Sequence, residues 1–438
     1  MEEVSENKLK YKAVLVIVVA AIFVGVIASY LAFVGRLGDT FRYFMTDNWS
    51  WVLYLLPAIG LTLITLLRVK YFNGTEGTGI PQTIAVLNED SEKERERFLS
   101  LRILVGKLLL TTFGLFSGAS MGREGPTVHA GACLMYLCRK IAIFPQHLVQ
   151  RGLILAGGAA GIAAAFNAPI AGVVFSIEEI GRSFSKKNLA VVITVVLIAC
   201  FVCIEVSGNY WFYGKVQSQS ATTSVWICTP LIAICMGIIG GLFSQIVVCL
   251  YPKVAKVMTK HPVTVPCSIG IGIGLIGWLS SGETLGTGYV EAENMLMHGA
   301  EMEWYYAPLR LIATGLTLLS GIPGGLFDPS LSAGAGFGQW FANVMHNFEW
   351  SADIDPTVVM MIAMASFFAA VVQSPVTAVV IMVEMTGFVH GTMPMLFGSL
   401  IAYGISKRFC SCSIYVALAG YYFDENRCNE PRRAACID

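Results

Sequence analysis

The residues of this chain that could do chemistry are carboxylates set in apolar sequence and short glycine–proline stretches. Glu124 stands in Gly122-Arg-Glu-Gly-Pro126, Asp328 stands in Gly325-Leu-Phe-Asp-Pro329, and Glu178, Glu179 and Glu384 close long apolar runs. A carboxylate in such surroundings is costly and is a functional candidate by default. Its natural chemistry is proton exchange, because burial and nearby positive helix ends tune when it ionises. The stretches Gly77–Pro81, Gly122–Pro126 and Gly325–Pro329 each precede or open an apolar helix. A helix start offers unpaired backbone N–H groups and partial positive charge, so it attracts anions without a full cation. Gly permits close approach, and Pro in the first turn gives up no needed hydrogen bond. Three such ends converging inside a membrane would hold a small anion weakly enough to release it, whereas Lys or Arg would hold it too tightly.

These motifs recur. GTGIPQTIAVL from Gly77 matches GTGYVEAENML from Gly286 at an offset of 209 residues. GREGPTVHAGA from Gly122 matches GLFDPSLSAGA from Gly325 at an offset of 203, and so do Lys107, Thr111, Ser117 and Gly118 with Arg310, Thr314, Ser320 and Gly321. Pro169 and Glu178 match Pro375 and Glu384 at an offset of 206. A repeat in a membrane protein implies two structural halves with a site between them, parallel or inverted according to the number of spans in each. The repeat also shows where symmetry fails, since Glu124 aligns with Phe327 and Glu179 with Met385. The symmetric pair Glu178 and Glu384 reads as structural, by capping or by a salt bridge such as Glu178 to Arg182.

The elements that must position these residues lie in lipid. Of 438 residues, 55% are hydrophobic and only 13% charged, about half the charged share of a soluble protein. Formal net charge is zero, so nothing points to nucleic acid. Ala13–Val34 is long enough to span the bilayer and reads as a retained first span rather than a signal peptide. Further apolar runs lie near 51–67, 103–118, 153–177, 189–206, 226–250, 267–280, 306–320, 357–383 and 394–405. Their uneven lengths and Gly and Pro interruptions suit the broken helices of a transporter. The charged segment Asn88–Arg102 reads as an interfacial helix end, while Lys186, Lys187, Lys407 and Arg408 are candidate cytoplasmic flanks. The expected organisation is one transmembrane domain over 1–438, with halves at about 13–225 and 226–420 and a short tail carrying Arg427, Arg432 and Arg433. The twelve Cys are scattered, many within apolar runs, and read as buried free thiols.

Together the residues resemble the CLC family of chloride channels and proton-coupled chloride transporters. The family's motifs GSGIP, GREGP and GxFxP stand here as Gly77-Thr-Gly-Ile-Pro81, Gly122-Arg-Glu-Gly-Pro126 and Gly325-Leu-Phe-Asp-Pro329. Phe166 to Glu179 and the late Tyr415 also resemble the family, and the likeness spans roughly 75 to 420. The resemblance implies an all-α integral membrane fold of inverted halves, many tilted and broken helices, and a homodimer with one anion pathway per subunit. It implies that Glu124 gates the anion path and carries the proton. Glu179 would relay protons from the other side, and its presence favours an exchanger over a passive channel. Thr78, Gly79, Ile80, Gly122, Arg123, Gly125, Leu326, Phe327 and Tyr415 would surround the anion through hydroxyls and backbone N–H groups. Chloride would be the bound substrate, with no cofactor and no metal. The location would be a cell membrane, crossed many times, and the inner membrane in a Gram-negative bacterium.

The sequence departs from the family pattern. Thr78 replaces Ser, keeping the hydroxyl but adding a methyl. Asp328 places a carboxylate beside an anion-binding helix start, and is expected to turn away into a cap. No regulatory CBS pair fits, which suits a compact prokaryotic-type member. An intramembrane enzyme is disfavoured, because no HExxH, GxSG-type or paired-aspartate motif falls in a suitable span. His129 reads as a core histidine.

Overall fold

The computed structural model describes residues 2–89, 91–146, 148–181, 186–208, 211–217, 222–347 and 354–423. The tail arginines and Arg182 lie outside these residues. Among the described residues the chain is helical, with no strand beyond one isolated bridge. The first half comprises α1 (Glu2–Tyr71), α2 (Ile80–Leu87), α3 (Glu92–Phe98), α4 (Leu101–Phe116), α5 (Glu124–Leu137), α6 (Leu153–Phe166), α7 (Pro169–Phe175) and α8 (Lys186–Ser207). The second comprises α9 (Thr223–Lys260), α10 (Thr264–Leu279), α11 (Tyr289–His298), α12 (Tyr306–Leu319), α13 (Phe327–Met345), α14 (Pro356–Val372), α15 (Pro375–Thr386), α16 (Thr392–Ser406) and α17 (Ile414–Phe423).

Helix boundaries obey the sequence offsets. The starts of α2 and α11 lie 209 residues apart, those of α5 and α13 lie 203 apart, and those of α7 and α15 lie 206 apart. Two runs that look continuous by hydropathy, 153–177 and 357–383, are each broken. Asn167 and Gln373 end α6 and α14 in the left-handed conformation, at φ 54° and 56°, and a Pro two residues later opens the next helix. Asn tolerates that conformation and Pro suits a first turn, so the break is local chemistry that an apolarity count does not register. Conversely, the runs 13–34 and 51–67 belong to one long helix, α1, kinked at Trp49.

The two halves are inverted. The Glu384 carboxylate, near the end of α15, accepts from the N–H groups of Ile170 (3.1 Å) and Ala171 (2.7 Å) at the start of α7. Glu178, just past the end of α7, accepts from Val376 N (3.2 Å), Thr377 N (2.8 Å) and Thr377 Oγ1 (2.7 Å) at the start of α15. Each helix ends beside the other's beginning, so these equivalent helices run antiparallel. An inverted repeat about an axis in the membrane plane places them this way.

Among the described residues, four stretches are long and apolar enough to cross a bilayer: Tyr11–Tyr71, Glu92–Phe116, Asn188–Ser207 and Thr223–Lys260. Shorter helices fill the interior. At 1.5 Å per residue the fourteen residues of α6 reach only about 21 Å, less than the hydrocarbon thickness. α6 is buried along its whole length and α14 from Val358 to Val372. Gly and Ala let α6 lie directly on α5: a Cβ on Gly131 would collide with Gly157 O, and one on Gly157 with Gly131 O. The outer surface carries large apolar side chains such as Phe23, Phe33, Phe201, Ile227 and Leu275.

Candidate functional site

The short helix α2 starts at Ile80 behind Gly79, whose φ of 96° and contact with the His129 side chain exclude any Cβ. Thr78 Oγ1 accepts from Ile80 N at 3.3 Å, which leaves the hydroxyl proton available to an outside acceptor. The loop before α2 is braced from behind. Fully buried Lys107 donates to Thr75 O (2.9 Å), Gly77 O (2.7 Å) and Glu76 O (3.4 Å). Its repeat partner Arg310 does the same service for α11, donating to Leu285 O at 3.1 Å. Thr287, the counterpart of Thr78, likewise accepts from Tyr289 N at 3.2 Å. Here, however, the protein supplies its own anion: Thr287 Oγ1 donates to Asp39 Oδ2 at 2.7 Å and Thr287 N to Oδ1 at 3.4 Å.

The other two motifs meet face to face. Gly122 N donates to Gly325 O at 2.9 Å and Gly325 N to Gly122 O at 2.6 Å, which joins the starts of α5 and α13 in an antiparallel bridge. The α2 loop is tied to the same point, with Gly77 N donating to Gly321 O (3.3 Å) and Gly324 N to Gly77 O (3.4 Å). A Cβ on Gly125 would press against Thr78, so α5 begins directly on the α2 loop. All three helix starts therefore converge.

Glu124 is the first residue of α5 and is fully buried. Its carboxyl folds back against Gly122 and Gly325, and no backbone or hydroxyl group donates to either oxygen. Arg123 Nε lies 4.0 Å from Oε1, but Arg123 Nη1 is committed to Ala32 O at 2.7 Å, so the pairing is loose. Asp328 corrects the sequence expectation. It caps nothing, since Leu326 is the N-cap of α13 and that cap carries no side-chain bond. Instead Asp328 is buried and interacts electrostatically with Glu124, Arg123 and Asp39. Second in α13 and walled in by Gly122, it has no exposed backbone end to turn toward.

On the other side of Phe327, the Tyr415 ring stacks at 6.2 Å and 16°, and Phe368 closes in at 4.6 Å. Tyr415 is fully buried, its hydroxyl has no partner, and it lies within electrostatic reach of both Glu124 and Glu179. The nearby Tyr422 is engaged elsewhere, its hydroxyl 3.2 Å from that of Tyr251. Thus Thr78, Gly79, Ile80, Gly122, Arg123, Glu124, Gly125, Leu326, Phe327 and Tyr415 form one neighbourhood.

Glu179 stands apart from that neighbourhood but connects to it. It is buried, accepts from Ser374 Oγ at 3.2 Å, and accepts from Ser413, two residues before Tyr415. Sequence reasoning missed both serines. Ser374 carried a signal, because its repeat counterpart is Ala168 just as that of Glu179 is Met385. His129 is a core residue, with Nε2 at 3.0 Å from Phe98 O. Cys200 and Cys203, spaced C-x-x-C on α8, are buried free thiols, and Cys203 donates to Ala164 O at 3.2 Å.

Comparison with known proteins agrees with this architecture. A slow cyanobacterial Cl−/H+ antiporter, 22% identical, superposes with a TM-score of 0.82 over 95% of this chain and 99% of its own. A CLC-type fluoride/proton antiporter, 23% identical, gives 0.74 over 92% and 96%. In sequence, the H(+)/Cl(−) exchange transporter ClcA of Vibrio campbellii is 28% identical over 393 residues, which is 84% of this chain and 79% of that protein. The ClcA of Cronobacter sakazakii is 27% identical over 358 residues, 80% and 75% of the two chains. Residues 60–407 match the family model described as voltage gated chloride channel, and with inverted halves meeting at three glycine-led helix starts this membrane protein belongs to that family.

Proposed function

We propose that the protein exchanges chloride for protons across the membrane. The observation that carries the reading is the placement of two buried carboxylates, Glu124 and Glu179, around one unpartnered hydroxyl, that of Tyr415. Chloride would sit where α2, α5 and α13 begin. Its donors would be the Thr78 and Tyr415 hydroxyls and the backbone N–H groups of Gly79, Ile80, Leu326 and Phe327, with Gly122, Arg123 and Gly125 lining the gate. No cation need enter the site, because Lys107 is spent on carbonyls behind the loop. The ion is then held by dipoles and released readily.

Ionised Glu124 is a tethered anion that can take the chloride position. Protonation removes its charge, the side chain withdraws, and chloride replaces it. Glu179, held by Ser374 and Ser413, passes protons along a route that leaves the anion path near Tyr415. Proton and chloride thus share Glu124 and part beyond it. The relatives named as H(+)/Cl(−) exchange transporters support this reading. Under the same reading the two halves, about 13–225 and 226–420, form one transport unit. The protein works as a homodimer in a cell membrane, the inner one in a Gram-negative cell. Exposed Ile170, Ile177, Val376 and Phe397 on the α7–α15–α16 side offer an apolar face for the second copy.

The test is paired chloride efflux and proton uptake in liposomes holding the purified protein. Exchange requires protons to enter as chloride leaves, and Glu124→Ala and Glu179→Ala each to stop proton movement while chloride still flows. Chloride flux without proton movement in the unmutated protein makes it a passive channel.

A further inference from the structure

Asp328 belongs to none of the roles above. It is 1% exposed, its Oδ1 accepts from no other group, and it faces the carboxyl of Glu124 closely enough for the two to share a hydrogen bond. It also lines a small cavity together with Gly35, Arg36, Asp39, Arg123, Thr287 and Tyr289. At one end of that cavity is buried Asp328, and at the other is exposed Arg36. The cavity has room for about one water molecule, reaches Asp328 from the side of exposed Arg36, and is lined by neither Thr78 nor Tyr415.

The charged and titratable groups facing this point come from every surrounding element. From α5 come Glu124 and Arg123, and from α1 come Asp39 and Arg36. The segment 211–217 contributes Tyr213, whose hydroxyl is buried without a partner and interacts with both Asp328 and Glu124. The start of α11 contributes Tyr289. Asp39 is already engaged by Thr287 and, behind it, Arg42 binds Glu291 at 2.5 Å. Arg123 spends one nitrogen on Ala32 O. Arg123 therefore faces both carboxylates with part of its guanidinium already engaged. Two carboxylates held face to face in a dry interior repel each other, and sharing one proton relieves that repulsion.

We propose that Asp328 shares the proton of Glu124 and is the group through which that proton exchanges with the surface beside Arg36. When Glu124 withdraws from the anion position, its carboxyl meets Asp328. A proton passes from the Asp328 carboxyl oxygen to the Glu124 carboxylate, leaving Asp328 ionised. Asp328 then recovers a proton from solvent entering the cavity. In the reverse direction the same steps deliver the proton outward. The inference rests on the exchanger reading and adds to it a dedicated proton port distinct from the chloride exit.

The experiment is the pH dependence of coupled flux in liposomes for the unmutated protein, Asp328→Asn and Asp328→Glu. Asn matches Asp in shape and cannot hold or pass a proton as a carboxyl does. With Asp328→Asn, the pH profile of exchange is expected to shift, because the second carboxyl of the pair no longer takes up or releases a proton. Proton uptake is also expected to slow more than chloride flux does at the same pH, and Asp328→Glu is expected to restore the profile. Infrared spectroscopy of the unmutated protein provides a reading independent of variant folding. A protonated-carboxyl band is expected to persist through the neutral range and to be altered by chloride. A profile for Asp328→Asn that coincides with the unmutated one overturns the proposal, as does absence of that band. If the unmutated protein moves no protons at all, it is the exchanger reading that falls.

Discussion

Glu178 and Glu384 cap each other's helices: each carboxylate accepts two backbone N–H groups at the start of the helix that carries, at its far end, the other. The bonds cross from one half of the molecule to the other, so they weld the repeat together as well as finish two helices. Replacing either Glu by Ala is expected to lower stability by about 1–2 kcal/mol, the range for losing a helix cap. The two losses share one interface, so the double variant should depart from additivity. Thermal unfolding in detergent measures this, and coupled flux in the single variants should retain its stoichiometry.

The Glu179 environment makes a second prediction. Ser413 and Ser374 hold its carboxyl, and Ser413 sits two residues from Tyr415. Ser413→Ala is expected to cut proton uptake roughly tenfold while sparing chloride flux, because a proton-transfer group must be held in place to act. Ser374→Ala should act in the same direction more weakly, its bond being long at 3.2 Å. Equal loss of both fluxes would place the serines in the anion path instead.

For the anion itself the sharpest change is Tyr415→Phe. It removes one buried, unpartnered hydroxyl and leaves the ring stacked on Phe327. The expected loss is about 0.5–1.5 kcal/mol, or roughly twofold to twelvefold in chloride affinity, measured by calorimetry. Tyr422→Phe, seven residues on, should leave affinity unchanged, since its hydroxyl pairs with Tyr251.

Packing sets a fourth. Gly131→Ala and Gly157→Ala each drive a methyl into the carbonyl of the facing helix and should cost about 1–3 kcal/mol by forcing α5 and α6 apart. Because α5 carries Glu124, coupled flux should fall with stability. Gly404→Ala meets nothing within 4 Å and should stabilise by about 0.5–1 kcal/mol, as Ala for Gly does in a helix. Thermal midpoints of the three variants separate these outcomes.

Much of this architecture was legible in the chain because the repeat constrains it twice. Lys107 and Arg310 could be paired from spacing alone, and both prove to brace the loop before a short helix. Capping, one of the two roles read for Glu178 and Glu384, is observed, while Arg182, the partner named for the other, lies outside the described residues. What escaped the sequence depends on direction rather than on residue type. Asp328 looked like a cap because Asp often caps, yet its side chain leaves the helix toward Glu124. Ser374 and Ser413 come from distant parts of the chain and are polar residues of ordinary appearance until Glu179 is placed between them. The breaks at Asn167 and Gln373 were hidden inside apolar runs, since a left-handed residue changes direction without changing hydropathy.

The paired glycines at the centre limit what can move. Gly122 and Gly325 exchange both backbone bonds between the halves, and Gly77 adds ties to Gly321 and Gly324. A cycle in which one half swings against the other would have to tear this seam at the anion site on every turnover. The frame is instead a fixed seat, and the working parts are small: a pivoting side chain at Glu124 and the rings and hydroxyls around it. Such a device behaves as a valve with a moving pin, and substitutions that stiffen the outer helices should leave its rate almost untouched.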